Sequence, residues 1–360
     1  MKPKLMSDKP VLLAIRLRQL GDVLTTLGTL RAIKATTPDS RIILMVDDHY
    51  HRLLRNVDYV DMLLPQPPKI RGLQGAVDYN RFIDHLRHLN IDCVLDFHSN
   101  TRSALISYLS GAAVRVGFEV RGRKLLYTDV EPRAVYDALG RRVARTSHES
   151  AMALASRFIE LTKPASVMHT IPVSQEEIRA GREALTRAGH STITNDRVGL
   201  NPGNPYPAKA WSEGSFVELA SKLTAQGRSV VVMWGPGEQA TADRIVRAAG
   251  QGVTLAPQLA LHEIAGFLKQ LDALITIDSG LKHLAVAVGV PTVTLFGPTS
   301  PDEWHMGGAR DRYLWAGLSC SPCRLLSCPF GTPCMWRLTP EDIILTLHSI
   351  DGGVRVREPL

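Results

Sequence analysis

Four short segments of this chain carry side chains able to do chemistry, and each follows a run of apolar, β-favouring residues. The first is Arg16-Leu-Arg-Gln-Leu-Gly-Asp22, where Gly21 permits a tight strand-to-helix turn and Asp22 falls in the first helical turn. An aspartate there caps the helix or serves as general base toward a bound hydroxyl. Base chemistry has to overcome the helix N-terminus, which favours the ionised carboxylate, so it requires a closed, desolvated site. The second segment is Asn201-Pro-Gly-Asn-Pro-Tyr-Pro-Ala-Lys209-Ala-Trp211. Its prolines stiffen a loop that presents Lys209, a point charge suited to a diphosphate or else an ordinary solvated lysine; Trp211 reads as a packing anchor. The third is Val232-Met-Trp-Gly-Pro-Gly-Glu238, whose glycines allow close backbone approach and whose Glu238 can accept from ribose hydroxyls. It is not a dinucleotide fingerprint. Most informative is Ile277-Asp278-Ser-Gly-Leu-Lys-His283. Ser279-Gly280 opens a helix whose free amides and dipole suit a nucleotide diphosphate. His283, one turn on, either leans back toward that site or packs in the core. With Asp278, Ser279, Gly280 and His283 at one strand end, ligand binding is the better reading.

These residues need elements to position them. Both halves alternate short β-rich runs with helical patterns, an α/β arrangement of parallel sheets built from βαβ units. In the first half the strands read Val11–Leu17, Arg41–Val46, Val60–Leu64, Ile91–Phe97 and Val114–Gly117. In the second they read Val198–Asn201, Ser229–Trp234, Ala273–Ile277 and Thr292–Phe296. Thr162 to Ser174 has two prolines and little periodicity, and Ser174-Gln-Glu-Glu177 is a capping box opening the next helix. The expected division is a domain over 1–165, a linker over 166–173, a second domain over 174–335 and a terminal helix over 336–360 that returns to the first. Two doubly wound sheets imply a cleft, with ligands outside the carboxyl ends of the strands.

Composition narrows the class. At 360 residues, 44% apolar and 21% charged, the chain is an ordinary globular protein and neither disordered, collagen-like nor a disulfide scaffold. No run of 18 uncharged apolar residues occurs, and Arg16 interrupts the first apolar run, so neither a membrane span nor a secretory signal is read and the chain is expected in the cytoplasm. The net charge of +7 is unevenly placed: residues 1–173 carry +8 and residues 174–360 carry −1. The first half thus favours an anionic partner. It has no basic-aromatic repeat of the kind that binds nucleic acid.

Across nearly its whole length, from RLRQLGDVLTTLGTLRAIK through DFHSNTRSALIS, NPGNPYPAKAW and DSGLKHLAVAVGVPTVTLFGPTSP to the Cys-rich end, the chain resembles the ADP-heptose:lipopolysaccharide heptosyltransferases of glycosyltransferase family nine. That resemblance implies a GT-B fold: two Rossmann-like domains across a cleft, the first taking the lipid acceptor and the second an ADP-heptose donor. It makes Asp22 the catalytic base, Lys209 the donor-phosphate lysine, and Asp278, Ser279, Gly280 and His283 the diphosphate and sugar contacts. Glu238 falls near the ribose-binding glutamate. A departure occurs at Asn204-Pro205, where some members carry paired threonines. The acceptor implied is an anionic, Kdo-bearing lipopolysaccharide precursor, with Lys69, Arg71, Arg102, Arg121, Arg123 and Lys124 as candidate contacts at the inner face of the cytoplasmic membrane. The reaction implied is inverting and needs no catalytic cofactor. Alternatives are another GT-B activity, such as a UDP-sugar transferase or epimerase, and a non-catalytic nucleotide-binding assembly partner.

Four of the five cysteines cluster as Cys320, Cys323, Cys328 and Cys334, and Cys93 sits alone in a strand. Four thiolates suit a structural zinc, yet the irregular spacing equally fits free structural thiols or labile disulfides. Cys93 reads as a core residue.

Overall fold

The structure, a computed structural model, describes residues 9–136, 142–161, 170–189, 196–203, 206–305 and 308–352. The chain divides into two compact units, Met1–His169 and Thr170–Leu360. The expected linker residues 166–169 lie outside the described residues.

In the first unit, β1 (Val11–Ile15), β2 (Arg41–Val46), β3 (Met62–Pro65), β4 (Cys93–Asp96), β5 (Val114–Phe118) and β6 (Asp129–Glu131) form one parallel sheet in the order β3-β2-β1-β4-β5-β6. A small antiparallel pair, β7 (Val135–Tyr136) with β8 (Arg142–Val143), follows. The helices are α1 (Leu20–Thr36), α2 (His51–Leu54), α3 (Gly72–His88), α4 (Thr101–Leu109) and α5 (Ser147–Ser156). Leu13, Ile15, Ile43, Met45 and Val94 of the sheet pack on Tyr79, Ile83 and Leu86 of α3 and on Ile106 of α4. Burying each large side chain contributes roughly 1.5–3 kcal/mol, which is why the apolar faces of these two helices set their placement. α1 is buried almost all round, using small residues such as Thr25, Gly28 and Thr29.

The second unit repeats the plan. Its strands are β9 (Arg197–Asn201), β10 (Ser229–Val232), β11 (Val253–Leu255), β12 (Ala273–Ile277), β13 (Thr292–Phe296) and β14 (Asp311–Trp315). Their order, β11-β10-β9-β12-β13-β14, is again all parallel. Around them lie α6 (Gln175–Arg187), α7 (Glu213–Ala225), α8 (Gln239–Ala249), α9 (Leu261–Leu268), α10 (Gly280–Ala287), α11 (Pro301–Trp304), α12 (Pro333–Trp336) and α13 (Pro340–Gly352). α6 starts at the expected capping box: Ser174 and Glu177 satisfy each other's backbone amides.

α13, expected to return to the first domain, falls within the second unit. Ile343, Ile344, Leu347 and Ile350 complete the core formed by Leu219 and Leu223 of α7 with Val293 and Leu295 of β13, and the Trp211 indole donates to the Leu338 carbonyl at 3.0 Å. Residues 353–360 lie outside the described residues. Among the described residues no helix is long and apolar enough to cross a membrane.

Candidate active site

In both sheets the strand order reverses between two central neighbours, β1 and β4 in one and β9 and β12 in the other. Helices leave such a point in opposite directions, so their N-termini and the loops after the strands leave room for a ligand. The chemistry-bearing segments fall at these two places.

In the first unit Asp22 sits in the first turn of α1, beyond the carboxyl end of β1. Gln19, which begins the turn, adopts φ 67° and offers no side-chain cap. Asp22 caps nothing in its place, because its carboxylate turns to Arg16, with Oδ1 2.7 Å from Nη2. Ser147 at the start of α5 donates to the same oxygen at 3.5 Å and lies 3.0 Å from the Thr25 hydroxyl. Arg16 also donates to the Phe97 carbonyl, which ties the end of β1 to the loop after β4. That loop is shaped by Asp96, a fully buried carboxylate accepting from His98 N–H (3.0 Å), Ser99 N–H (2.8 Å) and Tyr127 Oη (2.7 Å). Burial pushes the Asp96 carboxyl up, against the pull of these donors. Beside them, His98 is driven down to about 4 by burial and by the cations Arg16, Arg18 and Arg133. The Asp22 carboxylate therefore stands in a strongly cationic corner, and a neutral imidazole shares it.

The six basic acceptor candidates separate into two kinds. Lys69, Arg71, Arg121 and Lys124 are exposed. Arg102 is half-buried and bonds Gln66 Oε1 at 3.2 Å and the Pro67 and Pro68 carbonyls. Arg123 donates to the Ser99 carbonyl at 2.6 Å. These two arginines staple the loops after β3 and β5 to the start of α4.

In the second unit the geometry is tighter. Asp278 follows β12 with its side chain 6% exposed. Its Oδ2 accepts from Lys209 Nζ at 2.7 Å and from Thr299 Oγ1 at 2.8 Å, and its Oδ1 from Lys282 Nζ at 3.0 Å. Burial would raise the Asp278 carboxyl, but Lys282 and Lys209 outweigh it and hold the group well below the usual carboxylate range. Ser279 begins α10 with no side-chain cap on the helix, its hydroxyl being engaged by Asn201 Nδ2 at 3.1 Å. Ser279, Gly280 and Leu281 are half-exposed, so the first-turn amides stay open to an anion. His283 is 5% exposed and packs edge-on against Trp304, ring centroids 6.0 Å apart. Glu238, at the start of α8, accepts the Gly235 amide at 2.8 Å. It lies so close over Gly203 that a Cβ there would come within 1.8 Å of Glu238 Oε2, so a side chain at 203 would push the Glu238 carboxylate aside. The structure thus brings Lys209, Asp278, Ser279, Gly280 and His283 to the ends of β9 and β12, with Glu238 one strand away. Asn204 and Pro205 lie outside the described residues.

The profile of glycosyltransferase family 9 (heptosyltransferase) matches residues 79–332. This chain belongs to that family. The match takes in the whole Lys209–His283 site and leaves Asp22 outside it. Lipopolysaccharide heptosyltransferase 1 of Pseudomonas aeruginosa is 27% identical over 94% of this chain and 97% of its own length. Lipopolysaccharide heptosyltransferase 2 of Escherichia coli is 26% identical over 79% of this chain and 81% of its own. Among solved structures, a glycosyl transferase family 9 protein from Veillonella parvula superposes with a TM-score of 0.80 at 19% identity, covering 96% of this chain and 99% of that one. An E. coli heptosyltransferase solved with ADP-2-deoxy-2-fluoro heptose gives 0.68 at 20% identity, covering 94% and 99%. These likenesses carry the GT-B class of α/β fold, and family 9 membership makes the chain a glycosyltransferase.

Residues of the two strand-end clusters that the sequence alone did not single out are Lys282, Thr299, Arg18, His98 and Arg133. For Lys282 the signal was present: it stands four residues after Asp278, the spacing at which opposite charges meet on a helix. Thr299 and Arg133 reach their places only through sheet pairing, which local spacing does not encode.

All five cysteines are free: Cys93 and Cys334 are buried, Cys328 half-buried, and Cys320 and Cys323 exposed. Among the described residues no group of three or more His, Cys, Asp or Glu is arranged to hold a metal ion. Burial pushes the Cys93 thiol well up and the Cys334 thiol up, the latter also feeling the other three cysteines.

Proposed function

We propose that this chain is an inverting heptosyltransferase that moves a heptose from ADP-L-glycero-D-manno-heptose onto the Kdo/heptose inner core of a lipopolysaccharide precursor. One observation carries the reading: a buried carboxylate, Asp278, holds the partly exposed Lys209 beside the uncapped start of α10. A lysine and a row of helix amides so arranged suit the diphosphate of a sugar nucleotide. Glu238 stands where ribose hydroxyls can donate to it. Asp22 accepts the proton of the acceptor hydroxyl as that oxygen attacks the anomeric carbon. The bond from that carbon to the β-phosphate oxygen breaks on the opposite face, and the configuration inverts. Charge gathering on the departing ADP falls to the α10 amides and Lys209, so in this reading protein cations do the work a metal does elsewhere.

The acceptor side is the first unit, which holds the positive excess. Lys69, Arg71, Arg121 and Lys124 meet acceptor phosphates and the carboxylates of Kdo. Among them stand Ile70, Leu73 and Leu125, 61%, 88% and 83% exposed. Bare apolar side chains between exposed cations suit an anionic lipid surface, so the enzyme works peripherally at the cytoplasmic membrane face. Titration with ADP and UDP tests the donor assignment. Preferential ADP binding agrees with it, and UDP binding without ADP binding replaces it with the UDP-sugar alternative.

A further inference from the structure

The second-unit site contains a cation that none of the roles above uses. Lys282 is among the largest fully buried side chains of the protein, 2% exposed. Its ammonium lies 3.0 Å from Asp278 Oδ1, donates to the Trp304 carbonyl at 2.8 Å and stands 4.9 Å above the Phe296 ring. Burial lowers its affinity for a proton and Asp278 raises it. Lys209, by contrast, has its side chain 19% exposed and takes the other carboxylate oxygen. Asp278 therefore faces two lysines of different standing, one locked in the interior and one at the surface.

From this geometry we infer that Lys282 is a positioning residue for donor binding: it is the permanent counter-ion of Asp278, and by holding that role it leaves Lys209 free to pass to an incoming nucleoside diphosphate. The argument is electrostatic. A buried carboxylate without a cation is strongly disfavoured, since losing one partner of a buried pair exposes the full desolvation penalty of the other. If Lys209 were the sole partner of Asp278, moving to a phosphate would strand that carboxylate. With Lys282 in place, Asp278 keeps 3.0 Å contact with one ammonium and a hydroxyl from Thr299 whichever way Lys209 points. Counting formal charges, Lys209, Lys282 and Asp278 by themselves sum to +1, the surplus residing on the exposed lysine, with Asp311 acting on Lys282 as a further carboxylate. Asp278 then acts as the pivot that stores Lys209 between turnovers, its carboxylate being turned toward protein cations.

The inference rests on the donor-site reading, and a charge-swap series tests it by ADP titration alone, without acceptor or sugar. Lys282→Met removes the buried charge at matched length and leaves the corner neutral, with Asp278 dependent on Lys209. The ADP dissociation constant should rise at least tenfold. Asp278→Asn combined with Lys282→Met restores the +1 count of these groups and releases Lys209, and ADP affinity should recover at least threefold relative to Lys282→Met alone. A merely structural Lys282 gives the opposite sign, since a second buried change then weakens binding further. Should Lys282→Met fail to fold, Lys282→Gln, which still donates toward the Trp304 carbonyl, carries the same expectation. ADP affinity within threefold of wild type in the single variant, or no recovery in the double variant, overturns the inference. Wild-type protein that binds no nucleoside diphosphate at all overturns the donor-site reading itself, a distinguishable result.

Discussion

Asp22→Asn is the perturbation that bears most directly on the chemistry. It exchanges a carboxylate for an amide of the same size at a position 2.7 Å from Arg16 and 3.5 Å from Ser147. The amide oxygen still accepts from both, so the loop after β1 keeps its shape. The lost ion pair has side chains 13% and 21% exposed, so its removal costs more than that of a surface pair, up to the roughly 3–5 kcal/mol of a fully buried one. That loss is read in Tm, separately from turnover. The catalytic cost falls on the barrier. An amide cannot take a proton at neutral pH, and a missing general base slows turnover by about 10²–10⁴, which is roughly 2.7–5.5 kcal/mol on the barrier. ADP, assigned in this reading to second-unit residues, should bind within about twofold of wild type, as expected for sites that share no partners. The assay pairs kcat at saturating donor and acceptor with a calorimetric ADP titration. A kcat within about threefold of wild type, well inside the span that general-base loss exceeds, would remove Asp22 from the role.

Three further outcomes follow from the geometry. Flotation with phosphatidylglycerol-containing vesicles should recover the wild-type protein and lose most of a Leu73→Ser/Leu125→Ser variant, since both side chains stand 83% or more exposed and support no core; equal recovery of the two removes the apolar edge from the account. Iodoacetamide on the native protein should modify Cys320 and Cys323 quickly and spare Cys93 and Cys334 until unfolding, as their exposures dictate. Labelling that waits for a chelator would instead reveal a metal on these thiols. Stability should rise with pH between 4 and 6.5, because His98 and His305 are each held at about 4 instead of the ordinary 6.5. In that window the unfolded chain binds protons that the folded chain refuses, so acid favours unfolding. His98→Gln should flatten part of that rise in urea midpoint, and an unchanged slope would show that His98 titrates normally.

Much of the fold was legible because the central strands are continuous apolar runs. Arg41–Val46, Ala273–Ile277 and Thr292–Phe296 keep the bounds expected of them. Of the edge strands, β3 was read as Val60–Leu64, but the other three were not legible. Asp129–Glu131, Val253–Leu255 and Asp311–Trp315 are short or polar, and their pairing is decided by neighbours far along the chain. α3 starts at Gly72, where two glycines in its first turn hide the helical pattern. α13 shows why amphipathicity has limits: its apolar face announces burial but does not name the sheet that buries it. At the site, Lys209 and the Asp278–His283 corner could be read because strand ends and helix starts are local signals. Arg16 as partner of Asp22 was visible six residues away, whereas Ser147 was hidden by 125 residues of separation. The role of Arg102 and Arg123 as loop staples was equally hidden, since a basic residue looks the same in sequence whether it faces a phosphate or a carbonyl.

The most direct measurement of the central claim is the mass of the product formed when the purified protein is incubated with ADP-heptose and heptose-less lipopolysaccharide. The account predicts an acceptor heavier by one heptose residue, with ADP released in equal amount and no product when UDP-sugar replaces the donor. An acceptor of unchanged mass, under conditions where ADP binding is demonstrated, would contradict it.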